Sequence, residues 1–377
     1  MNYCKCSLIY ILLCTIVLTG CWGHKEINEV TIVQSTAIDK GKKHKVKLTV
    51  EFLKIMGSSQ GSSGLTGKKM HLSEEGNTLF EAARKINEKS PRSVIWGHSS
   101  VIIFGKEVAE KGLKEHLDIL YRQRNFRESA LVFIAVGRAE DVFKSNIVQE
   151  NLTSASLNGL IKSQNQTSTT RKTTLQMVYS DLVNDYKELT IPAILIDEES
   201  GKGPIKTAGL YVFKKGRLVS FINANLTKQY LRLQNESKSA VETLKEGKRK
   251  YIAFENLNCH TDIQSVFLNG KPSVSIKIFA DFNVADVQQD FEEITPEIIT
   301  NWEKKLNGKI KKQVGEFLEY TKKENVDLIG IGEAMHRENP EKWKRVKKDW
   351  KHLYPQLSFS IEVESRIDHT YLLNSSL

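Results

Sequence analysis

A long alternating strand followed by a long amphipathic helix most constrains how the C-terminal half of this chain can fold. In SVSIKIFADFNV the residues at every second position from Val274 to Val284 are apolar, which is the period of a strand with one buried face. The helix is predicted to begin at Thr295, a natural N-cap, with Pro296 at its first position. The pair therefore predicts an α+β fold, in which largely antiparallel or mixed sheets are covered by helices.

Two further segments extend the predicted C-terminal sheet. GLYVFKKGRLVSFI indicates a hairpin that turns around Lys215 and Gly216. LSFSIEVESRI indicates a closing strand whose inward residues are Leu357, Phe359, Ile361 and Val363. We therefore predict a sheet meander covered by one long helix in this half of the chain.

The N-terminal half predicts layered α/β structure. HKVKLTVEF alternates between apolar and polar residues from Val46 to Phe52, which indicates a half-buried strand with one polar face. Helical spacing from Leu79 to Ile86 ends before Pro91, and a strand, helix, strand succession follows over residues 100–137. MGSSQGSSGLTGKKM predicts a flexible loop, and residues 151–180 are polar enough to be either a long loop or a weak helix.

Composition shifts divide the chain into two to three domains. The sharpest one is IDEESGKGP, which is acidic, then glycine-rich, and ends at Pro204. We predict a signal peptide over residues 1–20 and an N-terminal α/β domain over 21–197, with a candidate subdomain near 150–195. A linker follows over 198–205, and a C-terminal α+β domain over 206–377.

The N-terminus carries the pattern of a lipoprotein signal. The apolar run from Leu8 to Leu18 follows Lys5 and is too short to span a bilayer. It ends in LTGC, where small Gly20 precedes Cys21. This stretch resembles the lipobox of bacterial lipoproteins, in which cleavage leaves the cysteine to carry a diacylglyceryl group. We therefore predict that Cys21 is the lipidation site, and that an ordinary signal peptide is the less favoured alternative.

The remaining cysteine and the net charge constrain partners. Once the signal is removed, Cys259 is left with Cys21, so we predict no intramolecular disulfide and a small buried role for Cys259. The formal charge is +10, from 55 Lys and Arg against 45 Asp and Glu. For an exported protein, anionic lipid or wall polymer is a more plausible partner than nucleic acid. A lysine-rich, solvated surface remains the simplest interpretation.

No catalytic or metal-binding motif of the common classes occurs in the chain. His98 stands beside Ser99, but neighbours on a strand point to opposite faces and cannot pair. Glu333 and His336 have the spacing of two metal ligands, and the sequence supplies no third. We therefore predict no enzymatic activity, no cofactor and no metal site.

A strongly basic stretch, EKWKRVKKDWKH, predicts an amphipathic helix. Trp343, Val346 and Trp350 lie on its apolar side, which we expect in the core. A face for lipid headgroups or for protein docking is the alternative. The basic residues are Lys342, Lys344, Arg345, Lys347, Lys348 and Lys351.

Three stretches together resemble the Ger(x)C lipoproteins, the C subunits of nutrient germinant receptors in endospore-forming bacteria. The first is LTGCWGHKEINEV, which has Cys21 and Trp22 followed by Glu26 and Ile27. This chain has Gly23 where the family usually has aspartate, which leaves lipidation intact. The second is VIIFGKEVAEKGLKEHLDILYRQRNFRES, which contains Gly112, Leu117, Asp118, Arg122 and Arg127. The third and most specific is VDLIGIGEAMHRENPEKWKRVKKDWKHLYPQLSFSIEVESRI, which contains Gly330, Gly332, Pro340, Trp343, Trp350 and Arg366.

The resemblance implies a non-enzymatic, lipid-anchored subunit on the outer face of the spore's inner membrane. Its partners there would be two polytopic membrane subunits, an A-type subunit and a B-type subunit that resembles amino-acid transporters. The complex would respond to nutrients and start germination. The resemblance implies only Cys21 as a functional position.

Two other classes stay open. One is a lipid-anchored solute-binding protein of an importer, which predicts two doubly wound lobes. The other is an anchored hydrolase acting on wall or lipid, which the missing motifs disfavour.

Overall fold

A computed structural model gives the structure of most of the chain. Cys21, the predicted signal peptide and most of the predicted linker lie outside the residues it describes, so the predictions made for them stay predictions. The structure describes residues 26, 29–56, 66–122, 126–145, 150–184, 186–197, 203–247, 250–268, 271–288 and 294–369.

The first sheet has nine strands within the described residues. Its hydrogen-bonded order is β3-β2-β1-β5-β6-β7-β8-β9, and β4 pairs with the start of β1. The strands are β1 (Val30–Lys40), β2 (Val46–Met56), β3 (Thr66–Gly76), β4 (Ser93–Ile95), β5 (Val101–Gly105), β6 (Leu131–Ala135), β7 (Leu189–Ile196), β8 (Ile205–Lys214) and β9 (Arg217–Ile222).

Parallel strands form the centre of this sheet. β1, β5, β6 and β7 run parallel to one another, and every residue of the apolar strands β5 and β6 is buried, as expected for strands covered on both faces. The covering helices are α1 (Leu79–Lys89), α2 (Lys106–Lys111), α3 (Lys114–Arg122), α4 (Ala139–Val142), α5 (Thr153–Thr167) and α6 (Leu175–Val183).

The second sheet has four strands in the order β10-β11-β12-β13. These are β10 (Val241–Glu246), β11 (Lys250–Leu268), β12 (Lys271–Val287) and β13 (Ser358–His369). The helical elements around them are α7 (Ala224–Leu233), α8 (Pro296–Glu324), α9 (Ile331–Glu338), α10 (Pro340–Val346), a 3₁₀ turn (Lys347–Asp349), α11 (Trp350–Leu353) and a second 3₁₀ turn (Tyr354–Gln356).

The predicted long helix is confirmed as α8. Thr295 is its N-cap and Pro296 its first residue, and its apolar stripe is buried against the second sheet. Trp302 contacts Phe254 of β11 edge-on, with ring centroids 5.7 Å apart. The α+β fold class is likewise confirmed, since both sheets are covered by helices.

The predicted meander is wrong for the closing strand. β10, β11 and β12 are antiparallel neighbours, but β13 runs parallel to β12. The chain must return along α8 before it adds β13, and a crossover of this kind places the next strand parallel.

Three expectations for the N-terminal half need correction. The polar face of β2 is not solvated, because Thr49 and Glu51 are buried. Part of the predicted loop is strand, since β3 begins at Thr66. The predicted helix after β5 is divided into α2 and α3 at Gly112, whose φ of 123° is incompatible with a helix.

The ambiguous polar segment over residues 151–180 is largely helical. It contains α5 and most of α6. Glu51 accounts for the start of α5, because its carboxylate accepts hydrogen bonds from the backbone N–H of Thr153 at 3.0 Å and from its hydroxyl at 2.7 Å. A carboxylate at a helix N-terminus supplies the acceptors that the first turn lacks.

The predicted hairpin around Lys215 and Gly216 is confirmed as β8 and β9, with φ of 50° and 80° at the two turn residues. Their predicted place in the C-terminal sheet is wrong, because β8 pairs with β7 and both strands continue the first sheet. They also supply Leu210, Val212 and Ile222 to the core of the second sheet. The domain division at residues 198–205 stays a prediction.

Candidate functional site

The candidate residues named from the sequence do not come together as a site in the part of the chain that the structure describes. Ser99 is buried and its Oγ lies 2.9 Å from Thr36 Oγ1. His98 Nδ1 lies 3.1 Å from a guanidinium nitrogen of Arg127. The serine and the histidine therefore have different partners.

The metal-ligand candidates Glu333 and His336 have other surroundings. Glu333 is exposed, and the His336 ring stacks on Tyr186 with ring centroids 4.9 Å apart. The predicted buried position of Cys259 is confirmed, and burial raises the pKa of its thiol. His260 lies 3.0 Å from Asp262 on the exposed side. Across the described ranges, no group of three or more His, Cys, Asp or Glu residues could hold a metal ion.

A cleft of about 380 Å³ lies where the first sheet meets the C-terminal helices. One wall is the end of α6, the start of β7 and the β8–β9 turn, and the other is the chain from the end of α8 to Tyr354. Because Asp327 is its most deeply buried charged residue, we call it the Asp327 cleft. Its charged lining residues are Asp181, Lys187, Glu188, Lys214, Lys215, Asp327, Lys347 and Lys351.

Asp327 caps helix α9 from within the protein. Its Oδ1 accepts a hydrogen bond from the N–H of Ile331 at 2.8 Å, and its Oδ2 accepts one from the N–H of Gly332 at 2.7 Å. Burial raises the pKa of the Asp327 carboxyl to about 7, although these N–H groups oppose the shift and nearby Glu188 adds to it. The carboxyl therefore titrates close to neutral pH.

The neighbours of Asp327 fix its position in the cleft. The N–H of Glu188 donates to the carbonyl of Asp327 at 3.3 Å, and Lys214 Nζ lies 3.8 Å from the Glu188 carboxylate. Burial raises the pKa of Glu188, and Lys214 opposes that shift. The hydroxyl of buried Tyr354 donates to Thr321 at 2.9 Å.

Aromatic side chains form the outer wall of the cleft. The indole rings of Trp343 and Trp350 meet edge-on at 5.0 Å, and Trp350 meets Tyr354 at 5.7 Å. Lys347 Nζ lies 5.1 Å from the centre of the Tyr186 ring, a cation–π distance. The predicted core side of the basic stretch is confirmed for Trp343, which is buried, although the helix is broken into α10, a 3₁₀ turn and α11.

A second buried cluster lies between α7, β10 and α8. Glu242 and Arg232 are fully buried and form an ion pair at 2.9 Å. Glu242 also pairs with Lys228 and with Lys309, each at 2.8 Å. Burial raises the pKa of Glu242, but the three cations outweigh it and bring the pKa to about 2. Its carboxylate is therefore charged at every physiological pH.

Arg171 connects the first sheet to α7. Its guanidinium donates to Thr190 of β7 at 3.1 Å and to Tyr230 of α7 at 2.8 Å. It also pairs with Glu236 at 3.0 Å. The two sheets are therefore joined by buried, directional contacts in addition to their shared core.

We did not identify Asp327, Glu242 or Arg171 from the sequence. The sequence does contain a pattern that could have identified Asp327 and Glu242. Asp327 stands alone in the apolar run VDLIGIG, and Glu242 has the parity of buried Ala240 and Leu244 in AVETLKE. Both patterns mark a polar group in a buried position, which needs a partner.

Comparison with known proteins identifies the class. Two family profiles match, "Spore germination protein N-terminal domain" over residues 23–196 and "Spore germination B3/ GerAC like, C-terminal" over residues 208–371. A solved structure, the crystal structure of the GerBC protein, matches with a TM-score of 0.58 at 20% identity over 88% of this chain and 96% of that one. The fold is therefore that of a spore germination protein.

Curated relatives agree along the full length. The chain is 26% identical to spore germination protein KC of Bacillus subtilis (strain 168), over 99% of this chain and 98% of that protein. It is 23% identical to spore germination protein GerQC of Bacillus cereus, over 95% of this chain and 97% of that protein. The chain belongs to the GerAC family of spore germination proteins.

No helix within the described ranges combines the length and the apolar character needed to cross a bilayer. The two doubly wound lobes expected of a solute-binding protein are not found there, because β12–β13 is the one parallel pair of the second sheet.

Proposed function

We propose that this chain is a lipid-anchored, non-enzymatic subunit of a membrane nutrient receptor that triggers spore germination. The observation that carries the proposal is the match of two GerAC family profiles to residues 23–196 and 208–371, directly after the lipobox cysteine Cys21. The full-length similarity to proteins named for spore germination supports it.

The anchor is the diacylglyceryl group on Cys21. Each buried CH₂ of a lipid chain contributes about 0.8 kcal/mol to membrane residence, so two chains hold a protein firmly without a spanning helix. Export places the mature chain on the outer face of the cytoplasmic membrane, which in the dormant spore is the inner membrane. Two polytopic subunits, one A-type and one transporter-like B-type, complete the receptor.

A non-enzymatic role is consistent with how the chain uses its buried charges. Glu242 and Arg171 neutralise partners from other elements, and Asp327 caps a helix. Each of these groups is held by hydrogen bonds or ion pairs to other described residues. These contacts support a structural use of the buried charges.

The test of the anchor is substitution of Cys21 in the organism that makes the protein. Cys21→Ala is expected to abolish incorporation of labelled fatty acid, release the protein from membranes and abolish nutrient-triggered germination. Cys259→Ala is the matched control, because it removes the other cysteine of the mature chain and leaves the lipobox intact. Fatty-acid labelling that persists in the Cys21→Ala protein would contradict the anchor assignment.

A further inference from the structure

Six exposed basic side chains extend from the segment between Pro340 and His352. The segment has two acidic residues, Glu341 and Asp349, and Glu341 pairs with Lys344 at 2.8 Å. Its inward side consists of Trp343 and Trp350, which pack over the cleft. The exposed basic residues are Lys342, Lys344, Arg345, Lys347, Lys348 and Lys351.

Three more exposed basic residues surround the β8–β9 turn, namely Lys114, Lys215 and Arg217. Lys114 Cβ lies 3.9 Å from the position that a Cβ on Gly216 would take. Lys215 and Lys351 line the same cleft from opposite walls, so the turn adjoins the basic segment. We call these nine residues together the basic face.

The acidic residues of the cleft do not offset this charge at the surface. Asp327 is buried and bonded to the backbone, and Glu188 lies against Lys214. Asp181 is half-buried, with Lys187 as a charged neighbour. The basic face therefore presents a strongly positive surface to its surroundings.

The topology places the basic face at the edge of the sheet where the described chain enters β1. β1, β5, β6 and β7 are parallel, so their first residues share one edge. β8 is antiparallel to β7, with Leu189 opposite Phe213, so β8 ends at that edge. Val30 and the turn at Lys215 therefore lie at the same edge of the first sheet.

The chain length between Cys21 and β1 is sufficient for both regions to reach one bilayer. Four strand spacings separate β1 from β8, a distance of about 19 Å at 4.8 Å each. The N–H of Glu29 donates to the carbonyl of Glu26 at 3.0 Å, so the chain turns there, and Cys21 can lie at most about 28 Å from Val30. A lipid on Cys21 can therefore enter the membrane beside the basic face.

We propose that the basic face lies against the anionic phospholipid headgroups of the bilayer that holds the lipid on Cys21. The inference rests on the proposed lipid anchor, and it adds an orientation, because an anchor alone lets the protein rotate. Lysine and arginine within a Debye length of an anionic membrane are attracted to it. The edge with the Asp327 cleft then faces the membrane, and the opposite edge, with Lys42 and Lys43, faces away.

The experiment measures sedimentation of the mature chain, residues 21–377 carrying Cys21→Ser, with vesicles. Without lipid on the protein, any binding reports on the protein surface. Vesicles are phosphatidylcholine alone, or phosphatidylcholine with about 30 mol% phosphatidylglycerol, in about 0.1 M salt. We expect at least tenfold tighter binding to the anionic vesicles, and a loss of that difference at about 0.5 M salt.

A pair of double variants with equal charge change locates the binding surface. Arg345→Glu with Lys348→Glu is expected to weaken binding to anionic vesicles at least tenfold. Lys42→Glu with Lys43→Glu, at the opposite edge, is expected to weaken it less than about threefold. All four side chains are exposed, and circular dichroism verifies that both variants are folded.

Three outcomes would overturn the proposal. The first is equal binding to neutral and anionic vesicles, and the second is an equal loss of vesicle binding in the two double variants. The third is binding of Arg345 and Lys348 to an acidic protein partner, with no binding to vesicles. None of them depends on lipidation, so failure of this test is distinct from failure of the Cys21 labelling test.

Discussion

Glu242 and Asp327 are both buried carboxylates, yet their surroundings drive their pKa values in opposite directions. Glu242 has three cationic partners within 2.9 Å, and its pKa falls to about 2. Asp327 has backbone N–H groups and the Glu188 carboxyl as neighbours, and its pKa rises to about 7. Burial penalises both charges, so the presence of cations decides the direction.

The difference separates two kinds of junction in one molecule. The Glu242 cluster is a charged connection between α7, β10 and α8 that remains ionised at physiological pH. In the Asp327 cleft, the buried Asp327 carboxyl gains or loses a proton near neutral pH. We therefore expect the stability contributed by the Glu242 cluster to stay constant above about pH 5, and the stability contributed by Asp327 to change with pH.

Glu242→Gln is expected to produce the largest change. It leaves buried Arg232 and half-buried Lys228 without their shared anion. Breaking a buried ion pair from one side costs about 3–5 kcal/mol, so we expect the free energy of unfolding to fall by that amount in denaturant titrations at pH 7. A loss below about 1 kcal/mol would show that water solvates the cluster.

Asp327→Asn is expected to change how stability depends on pH. The folded-state pKa of Asp327, about 7, lies above its ordinary 3.8, so the folded state binds the extra proton. Stability from this group is complete below pH 4 and is lost as the pH rises through 7. Between pH 5 and pH 8 the free energy of unfolding of the wild type should fall by up to about 2–3 kcal/mol through this group, and that of the variant should not.

The measurement is denaturant unfolding at both pH values, with Asp39→Asn as the matched control. Asp39 also accepts two backbone N–H bonds, from Ala139 and Glu140. Burial raises the pKa of the Asp39 carboxyl, and these bonds and the charge of Arg138 oppose that shift. If stability depends on pH in the Asp327→Asn protein as it does in the wild type, Asp327 is not the group that causes this dependence.

Lys309→Ala and Lys305→Ala are expected to give the smallest change and the sharpest contrast. Both lysines lie on α8, one turn apart, and each pairs with a glutamate of β10. Glu242, the partner of Lys309, is fully buried, whereas Glu246, the partner of Lys305, is partly exposed. We expect a loss of about 1 kcal/mol for Lys309→Ala and at most about 0.5 kcal/mol for Lys305→Ala in thermal or denaturant unfolding.

Elements with a strong local pattern could be predicted from the sequence. Helix α8 and the β8–β9 hairpin follow from apolar periodicity, capping and turn residues that are all close together in the chain. The orientation of β13 could not be predicted, because it depends on the path that α8 takes over the sheet. The covered polar face of β2 was missed for the same reason, since α5 comes about a hundred residues later.

The candidate site was less predictable than the fold. The pairing of Glu242 requires Lys309 from α8, and that of Arg171 requires Tyr230 from α7. Such partners are set by tertiary packing and leave no trace in local spacing. Cys21 is the opposite case, because a short motif marks it and no tertiary structure is required.

The central claim is that this chain is a subunit of a membrane receptor, and affinity capture from dormant spores tests it most directly. Membranes of the source organism are extracted in mild detergent, a tagged copy is captured, and the associated proteins are identified. We expect two polytopic membrane subunits in amounts comparable to the tagged chain. Capture of a permease together with an ATPase would contradict the account and favour a solute-binding protein.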